Sequence, residues 1–151
     1  MNTVSVRQAL LSDLDHVAPL FDWYRQFQSQ ASDLPAARDF LRARFDHGES
    51  IVLIAEDGGQ AVGLAQLYPS FSSVSLARVF VLNDLFVTES GRRKGVATRL
   101  LAAIETFAWT LGAARVTLNV ARPNTTAQAL YQSRGWRQDG QFFMYHRYPG
   151  G

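Results

Sequence analysis

At 151 residues the chain has the length of one domain able to bury a sizeable core. Its 47% hydrophobic and 19% charged residues are ordinary for a globular protein, and no apolar run approaches the roughly 18 residues of a membrane-spanning helix. Cysteine is absent, which excludes disulfides, thiolate metal sites and cysteine nucleophiles, and the net charge of +2 is small for a surface that tracks nucleic acid.

The first residues, MNTVSVRQALLSDLD, carry acids where a signal peptide has its apolar segment, so a cytoplasmic location is expected. VSVRQA (4–9) alternates as a short strand. Ser12 then caps a helix through DLDHVAPLFDWYRQFQ, with Asp13 and Asp15 in its first turn and Pro19 expected to kink it. SDLP (32–35) opens a second helix, in which Phe40, Leu41 and Phe45 recur at helical spacing and which Gly48 ends. SIVLIAE (50–56) reads as a strand, DGG (57–59) as a turn and QAVGLAQLYP (60–69) as the hairpin partner. After the loop SFSSVS, LARVFVLNDLFV (76–87) is a long β-type run.

From Val96 the apolar positions 96, 100, 104, 107 and 111 trace a helix face, with Gly112 as C-cap. ARVTLNVA (114–121) is a strand, and NTTAQALYQSR (124–134) a helix capped by Asn124 and ended by Gly135. WRQD and QFFMYHRY are expected to close as a pair of strands. The order β-α-α-β-β-β-α-β-α-β-β predicts a layered α/β (α+β) fold, one domain over 1–151.

TESGRRKGVATRLL (88–101) lies between a predicted strand and a predicted helix, and the placement matters more than its letters. A helix N-terminus carries unpaired N–H groups and a partial positive charge. Gly91 and Gly95 let the backbone approach a ligand closely, Ala97 keeps the first turn small, and Arg92, Arg93 and Lys94 add charge. The ligand these features ask for is a phosphate or pyrophosphate. The loop is not a P-loop, because Gly91 and Gly95 have the wrong spacing and no Lys-Thr follows, and G-x-G-x-x-G is absent. A solvated basic turn is the bland alternative at this point.

DLFVTESGRRKGVATRLLAAIE resembles motif A of the GNAT superfamily, the acetyl-CoA-dependent N-acetyltransferases: Arg92, Gly95 and Ala97 fill its Arg/Gln-x-x-Gly-x-Gly/Ala signature. LNVARPNTTAQALYQSRGW is similar to motif B, through Asn119, Asn124, Ala127, Leu130, Tyr131, Gly135 and Trp136. The predicted element order matches that fold over nearly the whole chain, which implies helices on both faces of a central mixed sheet. Glu89 stands where many members have proline.

The resemblance implies acetyl-CoA as co-substrate, with no metal. Backbone amides from Arg92 to Thr98 (Arg93, Lys94, Gly95, Val96 and Ala97 between them) would hold the pyrophosphate. Leu85, Phe86 and Val87 would pair with the pantetheine arm as an added strand does, an amide near Phe86–Val87 polarising the thioester carbonyl. Asn119, Asn124, Ala127 and Tyr131 complete the implied coenzyme contacts. Tyr131 is the implied general acid, and packing of its ring on the last helix is the bland alternative.

An alkylamine acceptor must lose a proton before attack, and Asp84 is the candidate base or amine anchor, with Glu56 and Tyr68 as fallbacks. Polyamine-type members carry an acidic pair here, whereas this chain has Asn83-Asp84. Strand alternation is expected to send Asn83 and Asp84 to opposite faces. The first two helices usually wall the acceptor site in this family. Phe21, Trp23, Tyr24 and Phe27 with Asp22 and Asp33 could there form an aromatic, acidic pocket for a cationic amine, and the loop from Tyr68 to Ser75 the other wall.

The acceptor is therefore expected to be a small-molecule amine, with no nucleic acid or membrane partner. A protein or peptide amine, a catalytically silent acetyl-CoA-binding regulatory module and a small nucleic-acid-binding domain using the Arg92 cluster are the rival readings. His16, His47 and His146 have no metal-ligand rhythm. FFMYHRYP either buries alternate residues or contributes a homodimer contact.

Overall fold

Alternating and helical hydrophobic periods segment the chain into nine regular elements in the computed structural model, which describes residues 3–150. In chain order they are β1 (Val4–Gln8), α1 (Leu14–Phe27), α2 (Leu34–His47), β2 (Ile51–Asp57), β3 (Gln60–Ser72), β4 (Ala77–Val87), α3 (Val96–Thr110), β5 (Val116–Leu118) and α4 (Thr125–Ser133). Residues 1, 2 and 151 of the expected single domain lie outside the described residues. The chain divides into two compact units, Met1–Asn119 and Val120–Gly151.

The first unit is a five-stranded mixed sheet in sequential order β1-β2-β3-β4-β5. The first three pairings are antiparallel and β4–β5 is parallel. Adjacent strand residues point to opposite faces, and β3 shows what each face meets. Leu64 joins Val52 and Ile54 in a core with Val17, Leu20 and Phe21 of α1 and Leu41 of α2. Its neighbour Gly63 lies under α3, where an added Cβ would sit 2.8 Å from Val96 Cγ1 and 3.1 Å from Leu100 Cδ1. Helices therefore cover both faces, α1 and α2 on one and α3 on the other. Burying Leu64, Leu67, Leu100, Leu101 and Ile104 removes apolar surface that stabilises at about 25 cal/mol per Å².

Local chemistry departs from expectation at several places. Ser12 does not cap α1: Leu11–Asp13 is a 3-10 turn, and the Asp13 carboxylate accepts from the Leu10 amide at 2.8 Å and pairs with Arg7 at 2.9 Å. Arg7 holds the Asp13 carboxyl well down, at about 2. α1 runs unbroken through Pro19. Gly48 does end α2, in the left-handed region at φ +61°. β5 is three residues long, much shorter than the expected 114–121.

In the second unit, Asn124 caps α4 through its side-chain oxygen, which accepts from the Ala127 amide at 3.1 Å. The closing pair of strands does not form: residues 141–148 have no regular structure. Phe142, Phe143, Met144, Tyr145 and Tyr148 are all exposed, Phe143 by 90%. Apolar alternation alone does not make a ribbon, since two strands by themselves are marginal in water.

Candidate active site

The loop from β4 to α3 is shaped by glycines in two different ways. Gly91 ends a 3-10 turn (Glu89–Gly91) whose N-cap, Thr88, accepts from the Gly91 amide at 3.3 Å. A Cβ on Gly91 would lie 2.9 Å from Val62 Cβ and 3.0 Å from Val62 O, so the loop presses on β3 only because that atom is missing. Gly95 is instead the N-cap of α3, at φ +72° with open space around it, and needs glycine for its backbone conformation. Arg93 also adopts the left-handed region, at φ +64°.

The first hydrogen bond of α3 runs from the Arg99 amide to Gly95 O at 3.0 Å. The amides of Val96, Ala97 and Thr98 precede it and have no intrahelical acceptor, and Gly95 offers no capping side chain. They line a cleft of about 170 Å³ with Val87, Gly91, Arg92, Arg93 and Gly95. Donor amides, the positive helix end and an absent Cβ together fit a phosphate or diphosphate. Arg92 and Arg93 are exposed at its rim, whereas the Lys94 ammonium is turned to Asp57 Oδ2 at 2.7 Å. Gly63 is a supporting residue that sequence reasoning passed over. Its signal was a glycine inside an apolar strand, which marks close approach of another element.

β5 pairs with β4 only at Phe80, Val81 and Leu82. From Asn83 to Val87 the other edge of β4 therefore has no strand partner among the described residues, while its β3 side is paired through Val87. Main-chain groups of Leu85, Phe86 and Val87 lie along this edge, free to pair with an extended ligand.

The register of β3 and β4 slips between Gln66 and Leu67: Gln66 faces Asp84, Leu67 faces Leu82, and Asn83 is the extra residue. A bulge breaks strict alternation, which corrects the expectation that Asn83 and Asp84 diverge. Instead the Asn83 carboxamide donates to Asp84 Oδ1 at 3.0 Å, and Gln66 Nε2 donates to Asp84 Oδ2 at 2.7 Å. Asp84 is buried at 4% exposure, Gln66 completely, and Asn83 is exposed. Tyr68 is half-buried; burial pushes its hydroxyl up to about 12, the charge of Asp84 adding and Arg44 opposing. The other fallback base, Glu56, is tied to Arg7 Nε at 2.7 Å.

The expected acidic pocket on the first two helices does not assemble. Asp33 is the N-cap of α2 and accepts from the Ala36 amide at 3.1 Å. Asp22 is buried and stitches the α1–α2 connection, accepting from the Ser32 hydroxyl at 2.7 Å and the Asp33 amide at 2.8 Å. Those donors, Ser32 first, hold its carboxyl below the usual carboxylate range. Phe21 is core. Tyr24 does reach the site strand: its hydroxyl donates to Asn83 O at 3.4 Å and its ring meets Phe86 edge-on at 6.2 Å. Trp23, Phe27 and Phe86, with Glu89 and Arg92, line a pocket of about 570 Å³ beside the β4–α3 loop.

In the second unit Tyr131 is half-buried against Trp136, ring centroids 6.0 Å apart. Burial raises its hydroxyl pKa above the ordinary tyrosine value, so it carries its proton throughout the neutral range. The Asn124 side chain is engaged as the α4 cap, and Asn119, the last residue of the first unit, is exposed. Among the described residues no three His, Asp or Glu side chains gather as metal ligands, and no helix is long and apolar enough to cross a membrane.

A model of the acetyltransferase (GNAT) family matches residues 17–136. An uncharacterized N-acetyltransferase of Bacillus subtilis (strain 168), YhfO, is 46% identical over 142 residues, 94% of this chain and 95% of its own. A crystal structure of a probable acetyltransferase superposes with a TM-score of 0.89 at 40% identity, over 95% of this chain and 96% of its own. The aminoglycoside N-acetyltransferase AAC(6')-Iy, in complex with CoA, shares the fold with a TM-score of 0.80 at 21% identity, over 97% of this chain and 96% of its own.

Proposed function

The chain belongs to the GNAT acetyltransferase family and is an acyltransferase, and from that premise we propose that it moves an acetyl group from acetyl-CoA to a primary amine by direct attack, the acceptor being a small cationic molecule. The observation that carries this reading is the uncapped start of α3, where amides without acceptors face a glycine-opened cleft. The CoA complex of a relative with the same fold supports the choice of coenzyme, and that relative's aminoglycoside acceptor supports a small amine.

Acetyl-CoA when bound supplies an acetyl thioester. The amides of Val96, Ala97 and Thr98 receive its diphosphate, and Arg92 and Arg93 add charge at the rim. The open edge of β4 pairs with the pantetheine arm, and a main-chain N–H near Phe86–Val87 donates to the carbonyl oxygen as negative charge gathers there. Asp84 takes a proton from the acceptor ammonium, directly or through one water, and the freed lone pair attacks the carbonyl carbon. The carbon–sulfur bond breaks, and Tyr131, whose place in motif B assigns it this part, donates its proton to the departing sulfur. The second proton shed by nitrogen as the amide forms restores the tyrosine hydroxyl, directly or through water. A Tyr hydroxyl kept protonated at neutral pH suits that step. Tyr24, Tyr68 and Asn83 are the side chains proposed around the acceptor.

Isothermal titration of the purified chain with acetyl-CoA tests the first half, binding being expected in the micromolar range; a folded protein that takes up none at millimolar ligand removes the reading. A thiol-release assay over polyamines, amino acids, aminoglycosides and peptide amines tests the second, and turnover confined to peptides would replace the small acceptor with a protein one.

A further inference from the structure

We propose that Gln66 is a positioning residue: its carboxamide holds the Asp84 carboxylate in the orientation from which Asp84 accepts the proton of the acceptor amine. The inference rests on acetyl transfer to an amine with Asp84 as base. Gln66 lies in the middle of β3 with no exposed surface, between Leu64, Ala65 and Leu67, which are equally buried and apolar. Its Nε2 meets Asp84 Oδ2 at 2.7 Å while the Asn83 Nδ2 meets Oδ1 at 3.0 Å, so each carboxylate oxygen is held by one carboxamide and the plane of the group is set.

The other end of Gln66 shows why the residue is there. Its Oε1 is buried with no hydrogen-bond partner among the described residues. An unpaired buried acceptor is destabilising, and an apolar side chain of similar length would avoid the loss. Packing with its apolar neighbours does not call for glutamine here, and the donation to Asp84 is what accounts for it. The β-bulge serves the same end, since without the extra residue Asn83 would not reach the second oxygen.

The test compares Gln66→Met, which keeps the length and removes the donor, with Asp84→Asn and the double variant. Each is assayed with the best alkylamine from the thiol-release screen and with that amine fluorinated beside the nitrogen, so that it is already neutral at the assay pH. For Gln66→Met we expect kcat about tenfold lower with the protonated amine, near wild type with the neutral one, and the KM for acetyl-CoA within about twofold. The double variant should be no worse than Asp84→Asn alone, because the amide acts only through the carboxylate.

An equal loss with both amines would mean a purely structural role and would overturn the proposal. Full turnover by Gln66→Met beside a defective Asp84→Asn would overturn it while leaving Asp84 as base. Asp84→Asn with undiminished turnover on both amines would remove the base, and the positioning role with it. Should Gln66→Met fail to fold, Gln66→Leu, which likewise lacks the donor to Asp84, is expected to show the same dependence on amine protonation, and its absence would overturn the proposal.

Discussion

Two neighbouring parts of the first unit are built on opposite principles. The start of α3 works through its main chain: donors are left over by helix geometry, the missing Cβ at Gly91 lets the loop press on β3, and Gly95 supplies the left-handed turn. The cluster on β3 and β4 works through side chains: a buried carboxylate is oriented by two carboxamides that a bulge brings together. The first should be sensitive to atoms added and indifferent to side chains removed. The second should behave the other way round, and so should Tyr131, whose hydroxyl is the proposed acid.

The widest separation should come from Tyr131→Phe, with kcat lower by about a hundredfold, the scale of general-acid loss, and acetyl-CoA affinity by calorimetry unchanged. Because burial raises the Tyr131 hydroxyl above its ordinary value, the acid form persists to higher pH. The wild-type kcat profile should accordingly show no fall from this group below pH about 10, the free-tyrosine value. An alkaline limb that Tyr131→Phe leaves in place belongs to another residue.

Gly91→Ala should produce the next largest change, in binding and not in chemistry. Its Cβ would meet the side chain and the backbone oxygen of Val62 at 2.9 and 3.0 Å, so the loop or β3 must shift. Overpacking of this kind costs about 1–3 kcal/mol, to be read in chemical denaturation alongside weaker uptake of acetyl-CoA. Asp33→Ala then separates a carboxylate that holds structure from one that acts: loss of an N-cap costs about 1 kcal/mol of stability, with no change in KM for the amine. A raised amine KM at unchanged stability would return Asp33 to the acceptor site. Arg93→Ala should have the smallest effect, weakening acetyl-CoA binding by about threefold at low salt and less at high salt, as an exposed charge does. A loss far beyond that would mean that side chains, and not amides, carry the cradle.

Much of the fold was legible because its signals are local. The helix face of α3, the Gly48 cap, the DGG turn between β2 and β3, and the glycine-cation loop each depend on residues within a few positions of one another. Where the reading failed, the deciding partner was distant or missing. Ser12 gave way as a cap because Arg7 and the Leu10 amide both engage Asp13. Asp22 and Asp33 look like an acidic pair in the sequence, yet both serve the α1–α2 connection. QFFMYHRY alternates like a strand, yet residues 141–148 have no regular structure, because apolar alternation alone does not hold a ribbon together. Gln66 carried a signal, one polar residue in an apolar run, whose meaning was invisible without β4.

What the residues determine by themselves is therefore the kind of chemistry: periodicity sets the helices and strands, and a glycine-rich turn at a helix start presents unpaired donors wherever the helix goes, because they are covalently its own. Which side chains share a site was left to the sheet register. One extra residue in β4 turns Asn83 toward Asp84 and sets Gln66 against them, a meeting across eighteen positions of chain that only cross-strand pairing can arrange.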